Sequence, residues 1–195
     1  MAITSDEFLD VLREVGALKE GHFLLSSGRH SDRYVEKFEL LHQPRMAERA
    51  CAVFAERFQD SHIDVVVGPT TGGILLAFET ARQLGVAAAY AERAGDGSTE
   101  RVFRRGFDFR PGMRVLVIDD ILTTGGSLRE TLAALSREPV EVAGIGVLVD
   151  RSGGIVRFEQ ELFAIASLDI ETWTPGDCPL CRNGLRLIKP GTTKV

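Results

Sequence analysis

Short, wholly apolar runs recur along this chain, each leading into a turn of glycines and hydroxyls and then a segment with helical spacing. Val65-Val66-Val67, entered from Asp64 and closed by Gly68, is one such run, and Val115-Leu116-Val117-Ile118 is another. A strand without polar alternation is buried on both faces, which occurs in parallel sheets covered by helices on each side. The repeated order of strand, turn and helix therefore predicts an α/β fold with a central, mostly parallel sheet. Further strands are expected over 86–91, 142–149 and 162–167, with helices from the 69–73 turn to Leu84 and over 127–136. Thr4 and Glu7 make a capping-box pair, and Phe8, Leu9, Leu12 and Val15 share one face, so a helix is expected over 4–15. Short strands are expected at 22–25 and 34–38, around a polar turn. A helix then opens on Pro44 and runs to Phe58, with Met46, Ala50, Val53, Phe54 and Phe58 on one side. Residues 95–100 have no apolar period and read as a mobile loop. The tail after Ile170, rich in proline, glycine and cysteine, reads as irregular. A chain of 195 residues can bury one substantial core. A single domain over 1–195 is expected.

The richest stretch is Asp119-Asp120-Ile121-Leu122-Thr123-Thr124-Gly125-Gly126-Ser127, which follows an apolar strand and opens a helix. Ligands of parallel sheets bind beyond the carboxyl ends of the strands. Free loop amides and the positive end of the next helix favour a phosphate there. Gly125 and Gly126 allow close approach, and Thr123, Thr124 and Ser127 add hydroxyl donors. Two carboxylates would repel a phosphate. They suit the 2′,3′-diol of a ribose, or a hard cation such as Mg²⁺. A phosphorylated sugar satisfies both halves of the loop. Neither a Walker loop nor a Gly-x-Gly-x-x-Gly fingerprint is present.

This stretch resembles the PRPP-binding signature of the type I phosphoribosyltransferases. The resemblance implies their fold, with a small N-terminal hood over about 1–40 joined by part of the C-terminal tail. It implies that 123–127 hold the 5-phosphate of PRPP, with Ile121 and Leu122 in the same loop. Asp119 and Asp120 would meet the ribose hydroxyls and act as catalytic groups that stabilise a cationic ribose. Gly68-Pro69-Thr70-Thr71-Gly72-Gly73 resembles the family's pyrophosphate-binding loop, so Thr70, Thr71, Gly72 and Gly73 join the PRPP site. The family's Mg²⁺ is chelated mainly by the pyrophosphate of PRPP. No direct side-chain ligand is assigned, with Asp119 and Asp120 the candidates.

Three segments point to orotate as the base. Gly21-His22-Phe23-Leu24-Leu25-Ser26-Ser27-Gly28-Arg29-His30-Ser31 resembles the hood segment of the orotate phosphoribosyltransferases, and places Ser26 beside the base. Tyr34 either stacks on a pyrimidine or serves as a core tyrosine. Arg151, after Leu148-Val149-Asp150, has the planar fork that suits a carboxylate, and Thr123 would also reach the base. Cys178-Pro179-Leu180-Cys181-Arg182-Asn183-Gly184 resembles the C-terminus of a shorter bacterial and archaeal branch. One cysteine pair supplies two ligands where a structural zinc site needs four, and His22, His30, His42 and His62 are remote in sequence. The pair is therefore expected to be an ordinary tail turn. The chain also departs from the better-known bacterial enzymes, with Ser26 and Gly72 where they carry lysine and no lysine–histidine pair in the 93–98 segment. Arg93, at a strand's carboxyl end, is the expected substitute and the third catalytic group. Arg101, Arg104 and Arg105 either assist it or form a solvated basic hairpin.

The resemblance implies transfer of phosphoribose from PRPP to orotate, with Mg²⁺ as cofactor, and a homodimer whose 95–100 loop reaches the neighbouring subunit. Two alternatives stay open: transfer to another base, or a PRPP-sensing regulator that binds nucleic acid. The net charge of −5 and the lack of room for a separate helix-turn-helix domain argue against the regulator. Three cysteines, Cys51, Cys178 and Cys181, do not make a disulfide framework. No apolar run reaches bilayer length and the N-terminus lacks the shape of a signal peptide, so a cytoplasmic location is expected.

Overall fold

The computed structural model describes residues 3–25, 27–104 and 106–190. Helix α1, Ser5–Glu14, begins at Thr4, whose side chain accepts from the Glu7 amide while Glu7 reaches back to the Thr4 amide. Strands β1 (Leu18–Leu24) and β2 (His30–Val35) pair antiparallel. A short helix α2, Lys37–Leu41, stands where part of the second strand was expected. The apolar pair Leu40 and Leu41 is buried there, which a helical turn satisfies and an extended run would not. Helix α3, Pro44–Phe58, starts at its proline, and a single 3₁₀ turn, Gln59–Ser61, follows it.

The main sheet then forms. Strands β3 (Val65–Pro69), β4 (Ala87–Arg93), β5 (Arg101–Phe103), β6 (Met113–Leu122), β7 (Val140–Asp150) and β8 (Leu162–Ser167) line up in the order β5-β4-β3-β6-β7-β8. Only β5, at the edge, runs antiparallel to its neighbour. Helix α4 (Gly72–Leu84) links β3 to β4, and α5 (Gly126–Leu135) links β6 to β7. The segment expected to be a mobile loop is the turn of the β4–β5 hairpin, closed by the Ala94 amide on the Glu100 carbonyl at 2.9 Å.

The apolar runs work as expected for strands covered on both sides. Val65, Val67, Val115 and Val117 pack into one core with Leu128 and Leu135 of α5. Val66, Leu116 and Ile118 pack into the other, with Phe54 and Phe58 of α3 and Leu76 of α4. All seven strand residues are fully buried, each contributing about 1.5–3 kcal/mol of transfer free energy. α4 and α5 thus cover opposite faces, and the direction of winding reverses between β3 and β6.

The tail is more ordered than its composition predicts. Strand β9, Thr172–Trp173, pairs with β2 and completes a three-stranded hood sheet. A short helix α6, Pro179–Arg182, follows. The chain then returns to β1, where the Leu24 amide donates to Ile188 and the Ile188 amide to His22, each at 2.8 Å. The expected tail turn therefore needs correction. Cys178 and Cys181 lie against His22 and His30, because the sheet brings together residues some 150 positions apart.

Candidate active site

The site lies at the winding reversal, where a crevice must open because the loops after the two central strands run to opposite faces. β3 pairs with β6 only as far as Val67 opposite Val117, then turns away. β7 accompanies β6 on to Leu122 opposite Asp150. Asp119 and Asp120 are therefore held in the β6 ladder on one side while their other side faces the crevice. The strand outruns its expected end at Ile118 for this reason.

Both helices that open on the crevice lack a side-chain cap, in contrast to the closed capping box of α1. Their first amides are free to meet an anion. Gly125 sets up α5 in the left-handed region at φ 78°, and an added Cβ would sit 2.9 Å from Val156 Cγ1. Arg93, Asp119, Thr123, Thr124, Gly125 and Ser127 line a cavity of about 240 Å³ here, together with Ile121, Leu122, Gly126 and Glu130.

The carboxylates are not equivalent. Burial first, and the Asp120 charge second, push Asp119 up to about 7, against the pull of the Asp120 amide, Lys37 and Arg101. That amide donates to Asp119 Oδ1 at 2.8 Å. Asp120 has firmer support: its Oδ1 accepts the Ile121 amide and its Oδ2 meets Lys37 Nζ, both at 2.8 Å. The turn after β3 touches the same carboxylate, because a Cβ on Gly72 would lie 2.2 Å from Asp120 Oδ2. A lysine at 72 would collide there, and Lys37 brings an ammonium to the spot from α2.

A second, larger cavity of about 450 Å³ adjoins the first and shares Thr123 and Thr124 with it. Its other walls come from the hood (Leu24, Leu25, Ser27, Arg29, Tyr34), from Arg151 after β7, and from Ile170, Thr172, Lys189 and Pro190 of the tail. Arg151 Nε is buried and has no hydrogen-bond partner among the described residues. Burial holds its guanidinium below the usual arginine range, with Tyr34 nearby working against that. A half-buried guanidinium with an unsatisfied Nε favours an anion in this cavity.

Asp119, Ile121, Leu122, Thr123, Thr124, Gly125, Gly126, Ser127 and Arg93 thus come together around the smaller cavity, and Tyr34 and Arg151 around the larger, while Asp120, next to Asp119, turns its carboxylate to Lys37 and Gly72 rather than into either cavity. Thr70, Thr71, Gly72 and Gly73 form the facing turn. Ser26, expected beside the base, and Arg105 lie outside the described residues. The flanking arginines have separate partners. Arg104 donates to the Ala94 carbonyl at 2.7 Å. Arg101 is 3% exposed rather than solvated, bonds Thr70 Oγ1 at 3.2 Å and the Ala91 carbonyl at 3.1 Å, and pairs with Glu130 at 3.0 Å. Arg93 lies 3.9 Å from the same Glu130 and donates to the Ser98 carbonyl. Sequence reasoning missed Lys37 and Glu130, whose only signal was a charge within an amphipathic helix.

Comparison with known proteins agrees with this architecture. The phosphoribosyl transferase domain family matches residues 38–173. The chain is 43% identical to the orotate phosphoribosyltransferase of Pelotomaculum thermopropionicum over 193 residues, 99% of this chain and 100% of that protein. It is likewise 43% identical to the enzyme of the same name from Caldicellulosiruptor bescii, over 98% of this chain and 100% of that one. The crystal structure of orotate phosphoribosyltransferase from Aeropyrum pernix superposes with a TM-score of 0.69 at 30% identity, covering 82% of this chain and 92% of that one. The chain belongs to the phosphoribosyl transferase family, within its orotate phosphoribosyltransferases.

Proposed function

We infer that the chain transfers the 5-phosphoribosyl group of PRPP to orotate, releasing pyrophosphate and forming orotidine 5′-monophosphate, a step of UMP biosynthesis. The observation that carries this reading is the wall of Thr123 and Thr124 shared by two cavities. One has Asp119 and the uncapped start of α5, and the other Arg151, whose buried Nε has no hydrogen-bond partner among the described residues. A sugar phosphate suits the first and an anionic planar base the second. The bond from the ribose anomeric carbon to pyrophosphate breaks, and its electron pair leaves with the pyrophosphate. A ring nitrogen of orotate then forms the new bond as its own proton is given up to the released pyrophosphate or to water.

Asp119 and Asp120 bind the ribose hydroxyls and stabilise positive charge as it develops on the sugar, a preorganised electrostatic role. Lys37 holds the Asp120 carboxylate in place. The 123–127 loop and the start of α5 fix the 5-phosphate, and Arg93 meets the leaving group. Arg151 and Tyr34 orient the orotate, Arg151 through its carboxylate. The 95–100 turn closes over the site and excludes water. Asp120 is already tied to Lys37 and an amide, and we assign Mg²⁺ no side-chain ligand of its own. That fits a Mg²⁺ carried on the diphosphate, where it would neutralise charge on the leaving group.

A homodimer is the assembly this reading takes, and exposed Leu75 and Phe78 on α4 give an apolar face for a second copy. No described helix is long and apolar enough to cross a membrane, and a cytoplasmic setting is assumed. The test is a base panel: protein, PRPP and Mg²⁺ with orotate, uracil, adenine, hypoxanthine or xanthine singly, read as pyrophosphate release. Release with orotate alone, weakened about tenfold or more by Arg151→Gln through KM for orotate, is expected. Release with another base, or an unimpaired Arg151→Gln, would overturn the assignment.

A further inference from the structure

His22 on β1, His30 at the start of β2, Cys178 and Cys181 each direct a donor atom into one small volume, all within 4.8 Å of one another. His22 Nε2 lies 2.9 Å from His30 Nδ1, 3.5 Å from Cys178 Sγ and 3.7 Å from Cys181 Sγ. Cys181 Sγ is 3.3 Å from His30 Nδ1. A tetrahedral zinc with its usual bond lengths sets nitrogen–sulfur edges of about 3.6 Å and a nitrogen–nitrogen edge of about 3.4 Å. The observed edges bracket the first value and fall about half an ångström short of the second.

Hydrogen bonding alone accounts poorly for the arrangement. His22 Nδ1 lies 2.8 Å from the Leu185 carbonyl, which can only accept, so Nδ1 carries the proton and, in the neutral ring, Nε2 presents a lone pair. That one lone pair is approached by three heteroatoms. The backbone contact is also the outer-sphere support that metal-bound histidines generally have. His22, His30 and Cys178 are buried, and two thiolates with one divalent ion make a neutral centre, which a buried setting favours.

We propose that His22, His30, Cys178 and Cys181 bind a structural zinc ion that fastens the C-terminal segment to the hood. With four protein ligands no position remains open for substrate, so the role is structural. The ion ties β1 to β2 on either side of the turn that carries Leu25, Ser27 and Arg29. It also anchors the segment that carries Lys189 and Pro190, so it fixes two walls of the larger cavity. The soft, mixed nitrogen–sulfur donor set selects zinc over the Mg²⁺ of the reaction.

The experiment uses the full chain prepared under reductant, equilibrated with ZnCl₂ and dialysed, with metal content measured by plasma mass spectrometry. A parallel sample carries Co²⁺ and is read by visible absorption. Expected are about one zinc per chain, intense tetrahedral cobalt bands with a thiolate charge-transfer band, and at least about tenfold weaker metal retention in Cys181→Ser. Cys181 is exposed, so that variant keeps its fold, and the cobalt spectrum of the unaltered chain needs no variant. A zinc-equilibrated chain without metal, a cobalt spectrum without thiolate charge transfer, or a Cys178–Cys181 disulfide under these conditions would each refute the site. None of these outcomes depends on which base the enzyme uses.

Discussion

Gly72 gives the sharpest handle on the carboxylate pair. It is the first residue of α4, so alanine meets no conformational penalty there, and the effect of Gly72→Ala is steric. The new Cβ would lie 2.2 Å from Asp120 Oδ2 and 3.2 Å from Leu41 Cδ1. Leu41 can give by a few tenths of an ångström. The carboxylate must retreat by about 1.2 Å to reach ordinary contact at 3.4 Å, and it then leaves the Lys37 ammonium that holds it. A displacement of that size at a reacting group costs about 100-fold, or about 2.7 kcal/mol of transition-state stabilisation. Overpacking costs about 1–3 kcal/mol of stability, offset by about 0.4–1 kcal/mol from the stiffer unfolded chain. At 2–4 °C per kcal/mol for a chain of this size, the melting temperature falls by less than about 10 °C. Initial rates over a matrix of PRPP and orotate concentrations, with thermal unfolding in parallel, measure both. Gly176→Ala, where the Cβ meets nothing within 4 Å, is the control and leaves both unchanged. Wild-type kcat/KM in Gly72→Ala would refute the placement of Asp120 as a fixed catalytic group.

Two further outcomes follow from the electrostatics. Because burial raises the Asp119 pKa, the folded state holds its proton more tightly than the unfolded chain. Stability from this group is therefore present at low pH and is lost as pH rises through about 7. Thermal unfolding between pH 5 and 8 should show Asp119→Asn gaining on the wild type toward pH 8 while its kcat falls; parallel curves would contradict the assignment. Arg101→Ala strips Glu130 of its nearer cation and Thr70 of a donor. Since Glu130 is partly exposed, about 2–3 kcal/mol of stability should go, read by urea unfolding, with Arg101→Lys recovering only part. A loss below about 0.5 kcal/mol would mean the buried pair is not a structural support.

Much of the main sheet was legible because its signals are local. Val65 to Val67 and Val115 to Ile118 carry no polar side chain, and Pro44 and the Phe54–Phe58 spacing mark one helix at both ends. The 119–127 loop was readable for a similar reason, since strand, carboxylates, hydroxyls and glycines are consecutive. What escaped was made by distant partners. A three-residue edge strand such as β5 has no period to detect, and Arg101 stayed open between an assisting role and a solvated hairpin because the Thr70 and Glu130 that bury it come from other elements. Lys37 was one charge among several until α2 turned it toward Asp120. His22 and His30 were set aside because their partners lie about 150 residues away along the chain, a distance the hood sheet removes.

The pairing of β2 with β9, His30 opposite Trp173, also governs the order in which the molecule can assemble. A two-stranded hairpin alone is marginal in water, so β1 and β2 emerge from the ribosome before the main sheet yet cannot settle until their third strand exists. At 5–20 residues per second that wait lasts roughly 7–30 s, during which the main sheet can form from nearer neighbours. The hood is therefore begun before the main sheet and completed after it, and its unpaired edge is meanwhile open to wrong partners.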